Sequence, residues 1–512
     1  MQVDRLCTLK SPSGRWILFA TILASGSAFL AGTAVPIALP VIQSDFDATL
    51  TGIQWVVNAY LLSLGALILI GGALGDHFGR RRIFTIGMAI FGIASLVSGS
   101  APSLPILIFF QAIQGAGAAL MVPQSLAIIN DCFFENERGR AIGLWAGISG
   151  GIAAIGTLTA GLVIEKFFWG AVFFLIVPVT LASLIITMIF IPVTHRREGH
   201  KLDWPGAVAV FISLYGLVYG LMTGPNVGWA SFEVIFSLAA GIIAFVLFIL
   251  IETHQQQPLI YLDIFKNQLV TGANLVTLLV YFGLTAVTFF TLLNLQQVQN
   301  YSPARAGIAL LPPIVLITLL TWPTGAVADR IGPRFQMILG PLVVSAGMSL
   351  LAVSGAGQNY WTHFLPGLTF FGLGMAVVIP PLTKCALSVG KAFSGSASGI
   401  NNGTARIAGL LAIAILGVVV LTIFRSSLDL GLAHSNLSRQ EQQQILLQAN
   451  KLGGIVIPDT FRETARVETV NIIHSAFIDG YRMAMSIRAV MAFSGALASF
   501  AFIRNRLVGG HR

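Results

Sequence analysis

Residues 72–82 read GALGDHFGRRR, and residues 325–334 read GAVADRIGPR. Both fit G-x-(L/V)-x-D-x-x-G-x-R, and their aspartates, Asp76 and Asp329, stand 253 positions apart. Each stretch lies between two long apolar runs. A pattern repeated at matching places implies an internal duplication. Glycines let helices approach closely and turn tightly. An aspartate at a helix end can pair with arginines and with a neighbouring helix N-terminus. A cluster of that kind can be made in one conformation and broken in another. The residues expected to form two such joints are Gly72, Asp76, Gly79, Arg80 and Arg81, and Gly325, Asp329, Arg330, Gly332 and Arg334. For the arginines alone, a role in membrane topology would also suffice.

The surrounding composition decides the solvent. Of 512 residues, 55% are hydrophobic and 10% charged, against about 25% charged in a soluble protein. Such a chain cannot cover a water-facing surface, and its hydrophobicity is opposite to that of a disordered one. It reads as an all-α, polytopic membrane protein. The net charge is +9, but the basic residues are scattered between apolar runs, which argues against a nucleic-acid partner.

A membrane helix needs about 20 mostly apolar residues. Fourteen segments qualify: 16–42, 54–74, 83–100, 105–129, 141–164, 171–193, 205–223, 232–251, 270–293, 304–323, 336–354, 362–383, 398–424 and 484–503. The first is too long for a typical signal peptide and reads as an uncleaved span. With the N-terminus inside, the cytoplasmic segments carry 19 basic residues and the short outer loops only Lys166 and Arg305. The positive-inside rule then places both termini in the cytoplasm, in a plasma membrane or bacterial inner membrane. Cys7, Cys132 and Cys385 fall near the reducing side, so no disulfide is expected. The segment 425–483 is unusually long for a connection. Within it Arg439–Gln448 and Thr460–Phe477 read as amphipathic helices. They suit a packed external cap or mobile loop, or alternatively a gating or partner-docking element.

The doubled loop motif resembles the major facilitator superfamily, and fourteen spans resemble its 14-helix drug:proton antiporters. Other matching stretches are Pro36–Pro40, Gln54-Trp55, Gln114–Ala118, Gly143–Gly161 and Asn401–Arg406. The resemblance implies two six-helix bundles with two extra helices between them, working by alternating access around a substrate cavity near the bilayer midplane. The implied organisation is a cytoplasmic N-terminus (1–15), an N-terminal bundle (16–193) and a linker with two extra spans (194–269). A C-terminal bundle (270–503) containing the external loop 425–483, and a tail (504–512), complete it. The resemblance also favours a monomer.

Several family positions are replaced. The usual span-one Asp is Ala31, and the following Asn is Pro36. The span-four Arg is Gln111, the G-P-x-x-G-G signature reads Gly156-Thr157-Leu158-Thr159-Ala160-Gly161, and W-R-W is Trp169-Gly170-Ala171. Losing an Asp and an Arg together avoids leaving one buried charge unpaired, a penalty of about 3–5 kcal/mol. This suggests an altered mechanism, or drift in a protein that couples elsewhere. No acidic residue lies near the middle of a proposed span, where proton carriers normally sit. Glu165, Asp131 and Asp76 are titratable groups at span ends, best read as interfacial charges.

Arg406 is read as the one basic residue well inside a span, with Asn401 and Asn402 about one turn before it. It could face the cavity as a site for an anion or polar group, or clamp a neighbouring helix. Further candidates for the cavity wall are Asn58, Tyr60, Gln111, Gln114, Tyr281 and Asn294. Each could equally be a satisfied inter-helix hydrogen bond, worth about 0.6 kcal/mol. Gly143, Gly147, Gly151 and Gly156 recur at four- or five-residue spacing, which close helix packing would explain.

No nucleotide-binding G-x-x-x-x-G-K-(S/T), cofactor motif, metal-ligand spacing or catalytic constellation stands out. The expected function is therefore not enzymatic. It is transport of small amphipathic organic compounds, as drug or metabolite efflux. The alternatives are an uncoupled facilitator or importer of a metabolite or siderophore-like compound, and a transporter-like sensor or scaffold.

Overall fold

The computed structural model describes residues 7–192, 203–255, 258–389 and 394–503. Among them no strand forms, and the regular structure is helical. In hydrocarbon every backbone N–H and C=O must find an internal partner, so long apolar runs become helices. They are α1 (Pro12–Asp45), α2 (Leu50–Phe78), α3 (Arg80–Gly99), α4 (Leu104–Cys132), α5 (Glu135–Lys166), α6 (Ala171–Phe190), α7 (Trp204–Val227) and α8 (Phe232–His254). After these come α9 (Gln268–Leu293), α10 (Pro303–Ala309), α11 (Leu311–Ile331), α12 (Pro333–Ala352), α13 (Tyr360–His363) and α14 (Leu365–Ala386). The last three are α15 (Ser394–Ala433), α16 (Arg439–Leu446) and α17 (Glu463–Phe502). With α10 joined to α11 and α13 to α14, 14 are long and apolar enough to span a membrane.

The chain forms two compact units. The first holds residues 1–38, 55–215 and 240–262, and the second 39–54, 216–239 and 263–512. In the first, α3 packs on α4 and α6; in the second, α12 packs on α14 and α17, and α9, α15 and α17 pack together. The duplication is visible atom by atom. A Cβ on Gly117 of α4 would sit 2.9 Å from the Gly87 carbonyl oxygen and 2.7 Å from the Phe91 nitrogen of α3. A Cβ on Gly374 of α14 would sit 2.7 Å from the Gly340 carbonyl oxygen and 2.6 Å from the Val344 nitrogen of α12. Each unit thus brings two helix backbones together at a pair of glycines.

The expected loop 425–483 is helical over much of its length. Helix α15 runs on to Ala433, and α17 begins at Glu463 rather than near 484. Thr460–Phe477 is therefore no separate helix but chiefly the first turns of α17, because nothing in its sequence breaks the helix before the apolar run. The true connection holds α16, opened by a capping box in which Ser438 and Glu441 satisfy each other's backbone N–H. It packs within the second unit. Gln43 donates to the Lys451 carbonyl at 2.9 Å, Gln297 donates to Gln43 at 2.8 Å, and Lys451 pairs with Asp47.

The α5 glycines also differ from expectation. A Cβ on Gly143, Gly147 or Gly151 would meet nothing within 4 Å, and only Gly156 packs, against Leu30. Close packing accounts for that one alone. Cys7, Cys132 and Cys385 form no disulfide among the described residues.

Candidate functional site

The first loop motif closes around Arg80. Gly79, at φ 95°, breaks the helix between α2 and α3 in a conformation open to glycine. This aims Arg80, the first residue of α3, back toward α2 and across to α4. Its Nη2 meets Asp76 Oδ1 at 3.0 Å, its Nη1 meets Asp131 Oδ2 at 2.8 Å, and Nη1 also donates to the Ala127 carbonyl at 2.7 Å. The Arg80 side chain is 13% exposed and the carboxylates about one third. Asp131, read from the sequence as an interfacial charge, thus pairs with an arginine of the motif. Arg81 donates to the Met188 carbonyl in the last turn of α6 at 2.6 Å. Beside Gly72, the Gln124 amide of α4 donates to the carbonyls of Gly71 and Gly72 at 2.7 and 3.3 Å.

The second motif repeats the backbone and changes the charges. Gly332, at φ 84°, separates α11 from α12. Arg334, the counterpart of Arg81, reaches the Phe500 carbonyl near the end of α17 at 3.5 Å and lies 5.2 Å over the Phe500 ring. The position matching Arg80 is Pro333, so this copy lacks a counterpart to the Arg80 guanidinium. Arg330 is exposed, Gly325 approaches Pro380 of α14, and the Asp329 side chain lies outside the described residues.

In the first unit Asn58, Tyr60, Gln111 and Gln114 are all buried. Tyr60 donates to the Ala28 carbonyl at 3.3 Å, and Gln114 donates to Ser95 at 2.6 Å, tying α4 to α3. Gln111 is 2% exposed and its Nε2 finds no acceptor among the described residues, an unusual state for a buried amide. In the second unit Asn401 donates to Asn274 and Thr277 of α9 at 3.3 and 2.7 Å, an inter-helix tie. Asn402 is exposed and bonds only its own helix, at the Ser398 carbonyl. Arg406 is half-buried and close enough to Tyr281 to act on it electrostatically. It makes no ion pair among the described residues. Asn294 is fully buried at the head of a π-helical turn, Asn294–Val298, and accepts from Gln299 at 3.1 Å. Such turns are frequent at functional sites.

Arg406 is not the only basic residue deep in a span. Arg488 lies inside α17, 1% exposed, donating to the Gly283 carbonyl of α9 and, at 3.2 Å, to the Met485 sulfur. Its Nε has no partner among the described residues. Placing the last span at 484 left Arg488 at a helix edge. Helical continuity through 463–483 was the signal that would have moved it inside.

Comparison with known proteins gives a consistent result. Residues 18–413 match the Major Facilitator Superfamily. The tetracenomycin C resistance and export protein of Streptomyces glaucescens is 31% identical, covering 91% of this chain and 87% of that one. The puromycin resistance protein pur8 of Streptomyces alboniger is 35% identical, covering 81% and 83%. Among solved structures, an auto-inhibited POT family peptide transporter superposes with a TM-score of 0.64 at 14% identity, covering 98% of this chain and 99% of that one. That last likeness concerns the fold alone. With fourteen membrane-length helices, a duplicated loop motif and this match over most of its length, the chain belongs to the Major Facilitator Superfamily.

Proposed function

We propose that this transporter exports small, amphipathic organic compounds from the cytoplasm by alternating access, as a monomer with both termini inside. The observation that carries the reading is the pair of relatives, 31% and 35% identical over most of both chains, whose names record tetracenomycin C resistance and export and puromycin resistance. The loop motifs support a moving joint rather than a static scaffold, since a receptor needs no ion cluster at a helix junction. Gly72, Asp76, Gly79, Arg80, Arg81, Gly325, Asp329, Arg330, Gly332 and Arg334 form that machinery. Arg406, Tyr281 and Asn402 are the residues assigned to the ligand. A half-buried guanidinium without a carboxylate favours neutral and anionic compounds, because Ala31 removes the acid that would attract cations.

The test is flux in proteoliposomes, with and without an imposed pH gradient. The panel is puromycin, tetracenomycin C and anionic, neutral and cationic amphiphiles. Uphill accumulation of neutral or anionic compounds supports the reading. Saturable transport of lipophilic cations, abolished by Asp76→Asn, refutes the substrate preference. Absence of flux with retained binding would refute transport itself.

A further inference from the structure

Two carboxylic acids outside the joints are buried together in the first unit. Asp203, just before α7, is 3% exposed, and Glu252, in the last turn of α8, is 4% exposed. Each has one satisfied and one orphan oxygen. Asp203 Oδ1 accepts the Gly206 N–H at 2.9 Å and the Gln255 amide at 3.4 Å. Glu252 Oε2 accepts the Ile260 N–H at 2.8 Å. Asp203 Oδ2 and Glu252 Oε1 have no donor among the described residues. These two orphans converge, lying 2.6 and 2.7 Å from the point where a Cβ on Gly206 would stand. The side chains are within hydrogen-bonding reach of each other.

Two ionised carboxylates cannot face each other without water or a cation. Among the described residues Asp203 is the one charged group acting on Glu252, and neither acid forms an ion pair. From α7 the pair meets Gly206. Beyond α8 it meets Gln255 and the Ile260 backbone, while His254 is exposed with its ring against the Leu250 carbonyl. No group of three or more metal-binding side chains exists among the described residues. A hydrogen shared between the two facing carboxyl oxygens satisfies both of them.

We propose that Asp203 and Glu252 form a proton-binding site, holding one proton in an O–H···O bond that latches the start of α7, the end of α8 and the turn at Ile260. Glycine at 206 is required, since any side chain there would occupy the position of the bond. Counting spans, this end of α7 and α8 lies on the same membrane face as the Asp76 loop. The latch closes on proton uptake and opens on release, so the folded form is favoured below the pair's titration point and loses that support as pH rises through it.

The experiment uses full-length protein in lipid nanodiscs, comparing wild type with Glu252→Gln and with Asp203→Asn/Glu252→Gln. Infrared spectra near neutral pH should show a protonated-carboxyl stretch in wild type that is missing from the double variant. The thermal midpoint of wild type should fall as pH rises from about 4 toward neutrality and level off above it. Glu252→Gln, whose amide can donate to Asp203 in place of the proton, should lose that pH dependence while matching wild type at the acid end. Identical carboxyl absorbance in wild type and double variant overturns the proposal. So does a Glu252→Gln variant with the wild-type pH slope. Stabilisation of wild type alone by millimolar Ca²⁺ or Mg²⁺ at neutral pH also overturns it, since the occupant would then be a metal ion.

Discussion

Removing Arg80 tests whether the first joint is held by charge or only by its glycines. An exposed ion pair contributes about 0.2–1 kcal/mol, and breaking a fully buried one costs about 3–5 kcal/mol. Arg80 lies between these cases, 13% exposed against carboxylates that retain about a third of their exposure. It also gives up the bond to the Ala127 carbonyl. Arg80→Ala should therefore cost about 2 kcal/mol, with a coupling to Asp131 of about 1 kcal/mol in a double-mutant cycle with Asp131→Asn. Arg80→Lys should recover less than half, because an ammonium cannot fork to Asp76, Asp131 and a carbonyl at once. Equilibrium unfolding in mixed micelles measures the cycle, and flux in proteoliposomes reads the same variants. A coupling below about 0.3 kcal/mol, or full rescue by lysine, would refute the account of this cluster as an electrostatic joint.

Gly117→Ala and Gly374→Ala should each destabilise by about 1–3 kcal/mol in unfolding assays, because their Cβ atoms would press on a facing backbone in the same way in both units. Gly147→Ala should do the reverse, gaining about 1 kcal/mol of helix propensity with nothing to clash against. If that open face closes during transport, the same variant slows flux while raising the thermal midpoint. Arg406→Gln should lower flux of anionic compounds at least tenfold while unfolding stays within about 0.5 kcal/mol of wild type; equal loss for neutral compounds would count against a ligand-facing guanidinium. The hydrogen bonds from the Ser438 hydroxyl and backbone hold the Glu441 carboxyl below the usual carboxylate range. Its support for α16 is present above the unfolded value of about 4.3 and lost as pH falls through the lower folded value. Hydrogen exchange of residues 439–446 should therefore accelerate only in strong acid, and Glu441→Gln should flatten that response.

What was readable in the chain followed from periodicity and charge. Fourteen spans and the two loop motifs depend on run length and on residues local in sequence, such as Gly79 and Asp76. The asymmetry between the joints was readable too, since Pro333 cannot do what Arg80 does. What escaped depends on which side of a helix a residue faces. Gln114 and Asn58 look like polar residues in spans, but no local signal says that they are buried within the first unit. Gly147 and Gly117 are both helix glycines, and only the partner helix distinguishes open space from backbone contact. Asp203 and Glu252, 49 positions apart, each look like an ordinary end-of-span acid until the turn at Ile260 seals them in.

The bond between Gln43 and the Lys451 carbonyl joins residues 408 positions apart. At a synthesis rate of about 5–20 residues per second, the end of α1 leaves the ribosome about 20–80 s before its partner exists. Through that interval the Gln43 side-chain N–H and the Asp47 carboxylate lack the partners that Lys451 gives them in the folded chain. A chain that stops after α15 would keep them so permanently, with every membrane helix before the last already in place. Completion of synthesis is thus marked by one short connection folding over residues made near the beginning.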